Sequence, residues 1–321
     1  MLIEDQHPLN KAIMIAVLGK PNAGKSSFIN HLLGFDLTIV SSKPQTTRNH
    51  FHCAFTIDRT EVVLVDTPGV HSNNQELNIR MNGQAQMGSE GVDINFVLVD
   101  LTSKVVPEFK DFMKNFDAQL GRTWIIFTKA DLVNKDTDLN LDDAFKQIQE
   151  LLPTAERYFA ISSKDGHNIH TLTGAIADAA QSGPHLYPRG DVSNKNERFF
   201  ATEYIREQAF KLLKEELPYE VAVVIDEYKD KFKDDETPEA HISASILVNR
   251  PSQRAIVVGR GGSIIKEIGI NARKKIEAMI GGKVHLNLHV KVSPKWFNNN
   301  YVLDEIGLPR TQKSARVWRK K

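Results

Sequence analysis

GKPNAGKS, residues 19–26, fits the pattern G-x-x-x-x-G-K-[ST] and sits where such a pattern has physical meaning. The run before it, AIMIAVL (12–18), is apolar throughout and reads as a buried strand. The run after it, SFINHLL (27–33), has helical spacing, with Phe28, Leu32 and Leu33 on one side. A strand, a glycine loop and a helix together make a phosphate cradle. Gly19 and Gly24 let the backbone curl so that its N–H groups point inward, and the positive end of the helix adds to that field. Lys25 is placed to reach the β/γ oxygens, and the Ser26 hydroxyl to ligate Mg²⁺.

Working outward, apolar strand-like runs alternate with amphipathic ones from residue 13 to about 180. The strands read at 12–18, 51–57, 60–65, 94–101, 123–128 and 157–161, and the helices at 25–33, 76–90, 107–119, 140–151 and 168–180. That alternation predicts an α/β fold, a parallel sheet with helices on both faces. QSGPHLYPRGDVSNKNE (181–197) breaks the pattern with two prolines and two glycines and reads as a linker. The expected organisation is therefore a nucleotide domain at 1–180, a linker at 181–197, a smaller α+β domain at 198–293 and a basic tail at 294–321.

Three later tetrapeptides each end a predicted strand. DTPG (66–69) offers Asp66 to Mg²⁺ and the Gly69 N–H to a γ-phosphate, with Thr67 and Pro68 between them. TKAD (128–131) offers Asp131, a carboxylate able to accept both N1–H and N2–H₂ of guanine; adenine lacks that donor pair. Lys129 is placed along the base, beside Thr128. ISSK (161–164) brings the backbone of Ser162, Ser163 and Lys164 toward guanine O6. PQTTR (44–48) falls in the loop where a threonine senses γ-phosphate and metal, so Thr46 and Thr47 join the set. The candidate nucleotide residues of the first loop are Gly19, Asn22, Ala23, Gly24, Lys25, Ser26 and Ser27. The metal ligands are then Ser26, Thr47 and Asp66, and the catalytic residues Lys25 and Thr47. GTP or GDP and Mg²⁺ follow as cofactors.

Residues 198–293 read as helix (198–217), strands (221–228 and 241–248), a short helix (253–258), a long helix (263–280) and a strand (284–292). Gly259-Arg260-Gly261-Gly262 is a GXXG turn between the last two helices, of the kind that clamps a nucleic-acid backbone. Arg260, Lys266, Arg273, Lys274 and Lys275 surround it with positive charge, although Arg273–Lys275 alone also fits a solvated helix face. Ile256, Val257, Ile264 and Ile265 either floor a base groove or pack the core. Trp296 either caps the core or offers a stacking platform.

The charge balance agrees with a polyanion partner. The net charge is +1, yet residues 253–321 carry 15 basic and four acidic side chains, so the remainder is acidic. A membrane surface would satisfy that charge as well as RNA. The single cysteine, Cys53, excludes an internal disulfide, and no run is apolar enough to span a bilayer or to serve as a signal peptide.

Taken together, GKPNAGKS, QTTR, DTPG, TKAD and SSK resemble the translation-factor-like GTPases. With ELPYE (216–220) and VVGRGGSIIKEIG (257–269) downstream, the chain is similar over residues 11–310 to the Era family of bacterial ribosome-assembly GTPases. The resemblance implies a Ras-like P-loop GTPase domain joined to a type II KH domain. It also implies a monomer that binds single-stranded small-subunit rRNA and the 30S subunit during maturation, in the cytoplasm, with peripheral contact at the inner face of the membrane. The alternative is a signalling or membrane-surface GTPase whose basic domain binds acidic lipid or protein. Thr128 stands where the family usually has Asn; its hydroxyl is expected to brace the phosphate loop. Val70 stands where Ras-like switches have a water-orienting Gln, and valine cannot orient water. Asn22 either shapes the loop or, as in potassium-assisted relatives, binds K⁺.

Overall fold

The computed structural model describes residues 7–310 other than 42, 44–45, 73–74, 117, 134–140 and 233–237. Gln45 of the QTTR stretch and the basic tail from 311 onward lie outside the described residues. The chain divides into two compact units, residues up to Asn194 forming the first and Lys195–Lys321 the second, with residues 75–77 apart from the first.

In the first unit β1 (Lys11–Gly19) leads through the glycine loop into α1 (Lys25–Leu33). β2 (Phe51–Ile57), β3 (Thr60–Asp66), α2 (Glu76–Gly88), β4 (Ile94–Asp100), α3 (Val105–Asn115), β5 (Thr123–Thr128), α4 (Leu141–Leu151), β6 (Ala155–Ala160) and α5 (Ile169–Ala179) follow. The sheet order is β2-β3-β1-β4-β5-β6. Every residue of β3 and β5 is buried, as central strands covered on both faces require. β2 corrects the all-parallel expectation. It pairs antiparallel with β3, Phe51 opposite Asp66, because only two residues join them and a parallel crossover needs a dozen or more. α3 starts two residues earlier than its pattern suggested, with Pro107 in the first turn, where no intrahelical N–H is required.

Residues 181–194 are not a free linker. Gln181–Ser182 form β7, antiparallel to the start of β1, and the Leu186 and Tyr187 amides donate to the buried Glu61 carboxylate at 2.6 and 3.2 Å. The Ala54 amide donates to Val192 O, and Tyr187 Oη meets His52 Nδ1 at 2.7 Å. Those extended backbone groups find partners on β1, on edge strand β2 and on the Glu61 side chain of β3, which sequence periodicity does not register.

The second unit is α6 (Glu197–Leu212), β8 (Ala222–Phe232), β9 (Pro238–Val248), α7 (Pro251–Val258), α8 (Ser263–Ile280), β10 (Lys283–Val292) and α9 (Asn300–Glu305). The sheet order is β10-β9-β8, with β10 parallel and β8 antiparallel to β9. This is the expected α-β-β-α-α-β frame. The Asn196 side chain caps α6 by accepting from the Phe199 amide at 3.1 Å. Val284 and Val290 of β10 alternate with exposed polar residues, so one face of this sheet is buried and the other solvated. Residues 294–310 contribute to the core, with Trp296, Leu303 and Leu308 fully buried.

Candidate functional site

The sheet order reverses at β1, which lies between β3 and β4, and ligands bind at the carboxyl ends of strands at such a point. Register does the positioning: Val17 pairs with Asp66, Gly19 with Leu98 and Asp100 with Thr128. The glycine loop, DTPG and TKAD therefore emerge side by side. Gly69 packs directly on the loop; a Cβ there would meet Pro21 N at 2.7 Å. Thr67 ties the same turn to β1, its hydroxyl donating to Val17 O at 2.6 Å.

Lys25 is buried, and its ammonium donates to the carbonyls of Gly19 and Lys20 at 3.2 and 2.9 Å. Burial lowers its pKa to about 8, with Asp66 acting in the opposite direction. The three candidate metal ligands converge. Thr47 Oγ1 donates to Asp66 Oδ2 at 3.1 Å and lies 3.5 Å from Ser26 Oγ. Two hydroxyls and a fully buried carboxylate form a hard-oxygen set that fits Mg²⁺, held together with its remaining waters and phosphate oxygens. When bound, Mg²⁺ neutralises charge developing on the phosphates. A cavity of about 320 Å³ opens here, lined by Asn22, Gly24, Lys25, Ser26, Ser27, Thr46, Thr47, Gly69 and Lys129.

Thr128 carries out the bracing role expected of it. Its hydroxyl donates to Ala23 O at 2.8 Å from beneath the loop. Lys129, in a left-handed backbone conformation, pairs with Asp100. Asp131 is the middle residue of a short turn (Ala130–Leu132) beside Lys164, whose Nζ lies 3.9 Å from its carboxylate. The Ala130 amide donates to Ile161 O, and the buried Ser162 hydroxyl accepts from the Lys164 amide, so TKAD and ISSK form one wall. Val70 is 2 % exposed within the core beside Ala16 and Leu18, so it has no part in placing water. Ile39, Val40 and Ser41 also line the cavity and escaped sequence reasoning. Their one signal is position, between α1 and the QTTR stretch. Cys53 is buried and its thiol pKa is pushed up chiefly by burial, which makes it structural.

In the second unit the GXXG turn joins α7 to α8. Gly261 and Gly262 both have positive φ, 61° and 78°, and a Cβ at either would meet nothing within 4 Å. The turn is open toward solvent. Lys266 and Arg273 are exposed and seven residues apart, on one stripe of α8, with Lys274 round the side. Lys275, nine residues from Lys266, is on the opposite face. Its ammonium meets Glu207 of α6 at 2.8 Å and lies over the Tyr204 ring, so it is removed from the candidate phosphate contacts. Ile256 is 53 % exposed beside the turn and Val257 is fully buried; Ile264 and Ile265 are half-buried. Trp296 is a core cap, its indole N–H donating to Glu220 O at 2.8 Å. Glu220 also holds Gln253 and Asn249, which fixes ELPYE against the start of α7.

Comparison with known proteins places both units. The profile of the 50S ribosome-binding GTPase family matches residues 14–129, and that of the KH domain matches residues 216–297. GTPase Era of Carboxydothermus hydrogenoformans is 33 % identical over 92 % of this chain and 97 % of its own length. GTPase Era of Lacticaseibacillus paracasei is 35 % identical over 91 % and 95 %. Among solved structures, Era in complex with MgGDPNP and nucleotides 1506–1542 of 16S ribosomal RNA superposes with a TM-score of 0.82. It is 28 % identical and covers 94 % of this chain and all of its own. No helix among the described residues is long and apolar enough to cross a membrane.

Proposed function

The chain belongs to the GTPase Era family, and on that premise we propose that it hydrolyses GTP and binds small-subunit ribosomal RNA during assembly of that subunit. One observation carries the reading. A single chain holds a guanine-nucleotide site with converged metal ligands and, in its second unit, an open GXXG turn between two helices. The nucleotide role rests on Lys25 for phosphate charge, on Ser26, Thr47 and Asp66 for Mg²⁺, and on Asp131 for the base. The RNA role rests on the Gly259–Gly262 turn with Arg260, Lys266, Arg273 and Lys274 as phosphate contacts.

The test uses an RNA corresponding to the segment seen with the solved relative. Gly261→Asp and Gly262→Asp place a carboxylate where a nucleotide backbone passes. They should abolish RNA binding and leave GTP binding intact. Lys274→Glu should weaken binding in a graded way and flatten the salt slope by roughly 0.7 for each phosphate no longer neutralised. Liposome flotation with the same variants tests peripheral membrane contact and the lipid-binding alternative, for which sensitivity to Lys274 and indifference to the glycines is the expected pattern. Glycine variants that hold RNA as tightly as the parent would overturn the RNA half of the proposal.

Asn22 lines the nucleotide cavity, which supports K⁺ as a second cation there, while its left-handed backbone fits the loop-shaping alternative. Turnover should then be faster in K⁺ than in Na⁺, and Asn22→Ala should erase the difference. Equal rates in both salts for the unaltered chain would remove K⁺.

A further inference from the structure

The solvated face of the β8–β9–β10 sheet carries a cluster unrelated to the GXXG turn. His241 of β9 and His285 of β10 are direct partners in the parallel ladder, and Glu239 lies two residues before His241. Alternation puts all three side chains on one face. The imidazoles stack at 28° with centroids 4.5 Å apart. Both Nε2 atoms approach one carboxylate oxygen, His285 Nε2 at 2.7 Å and His241 Nε2 at 3.5 Å from Glu239 Oε1. The three donor atoms all lie within 4.8 Å of one another.

We propose that Glu239, His241 and His285 form a three-ligand site for a single Zn²⁺ ion, with a fourth, outward position for water. A tetrahedral ion with bonds of about 2.0–2.1 Å sets its ligand atoms about 3.3 Å apart. The two spacings on Glu239 bracket that value. The third edge closes by rotating an imidazole about its side-chain bonds, and both rings are free to do so, with side chains 39 % and 45 % exposed. The ladder on both sides of His241 holds the Cα positions, so little ordering remains for the ion to impose. Two imidazoles and a carboxylate suit Zn²⁺ and its borderline neighbours rather than Mg²⁺ or Ca²⁺, which take all-oxygen shells. One divalent ion between the two imidazoles and the carboxylate satisfies both Nε2 atoms and Glu239 Oε1 together. The neighbouring charges temper affinity without blocking the site. Lys229 stands opposite His241 with its ammonium held by Glu227 at 2.6 Å, and Lys283 is the β10 register partner of Glu239.

The test uses the untagged full chain saturated with GDP and Mg²⁺, so that the nucleotide site does not take up the added ion. Competition with a chromophoric chelator should show one equivalent of Zn²⁺ bound. Because loss of an outer hydrogen-bond partner alone lowers metal affinity by about 10–100-fold, His241→Ala/His285→Ala should lose more than about 100-fold. Glu239→Gln, nearly isosteric on a solvated face, should weaken binding and retain the fold. Co²⁺ should give a visible tetrahedral d–d spectrum with the parent chain and none with the double variant. Unchanged Zn²⁺ uptake in the double variant would overturn the site, as would no uptake by the parent chain.

Discussion

Thr128→Val removes one hydroxyl and keeps the volume and branching of the side chain, so it isolates one hydrogen bond. Thr128 is 3 % exposed, and its Oγ1 donates to Ala23 O at 2.8 Å, with Val99 O further away at 3.4 Å. Its side chain also touches the loop at Gly24, where a Cβ would lie 3.5 Å from Thr128 Cβ. Valine preserves that contact but leaves the Ala23 carbonyl facing a methyl group. A buried carbonyl deprived of its donor costs about 1–3 kcal/mol. Where that cost appears depends on the loop. If the loop stays in place, stability falls by that amount; if it lifts to find water, nucleotide affinity falls about 5–150-fold. The sum across the two measurements should lie in that range. GDP titration and urea unfolding, each on Thr128→Val, Thr128→Ser and Thr128→Asn, measure both parts. Serine should restore most of the loss, and so should asparagine, which the family usually carries here. If valine stays within twofold of the parent in affinity and within about 0.5 kcal/mol in stability, the bracing role of Thr128 is wrong.

Two further expectations follow from the same site. Asp131→Asn should cost GTP about 1.5–3 kcal/mol of affinity by removing a charged acceptor, and gain xanthosine nucleotides, whose 2-oxo group accepts from the new amide; an unchanged preference in competitive binding would remove the guanine assignment. His71 has its pKa lowered to about 4, first by burial and then by Lys25 and Lys20. The unfolded chain therefore binds a proton near pH 6.5 that the folded chain refuses. This contribution to stability is fully present above about pH 6.5 and falls away toward pH 4, by up to about 3 kcal/mol. Urea unfolding across that range should show a shallower fall for His71→Gln, and parallel curves would refute the assignment.

What the amino-acid order determined by itself is what local chemistry encodes. The glycine loop between strand and helix, the tetrapeptides at strand ends and the GXXG turn each depend on backbone conformations that neighbouring residues specify within a few positions. The alternating runs likewise mark the elements of both units to within a few residues, because burial repeats with the period of each element. Tertiary structure decided which side chains meet. Thr128 reaches Ala23 across 105 residues, and Thr47 joins Asp66 across 19, only because strand register brings those loops to one edge of the sheet. Lys275 looked like its neighbours Arg273 and Lys274, yet Glu207, 68 residues earlier, draws it inward. Residues 181–194 have linker composition and are still fastened to β1, β2 and β3, since their backbone groups find partners there. His241 and His285 are ordinary histidines until the β9–β10 register sets them side by side. Periodicity fixes the face on which a residue lies; only the pairing of distant strands and helices fixes what it faces there.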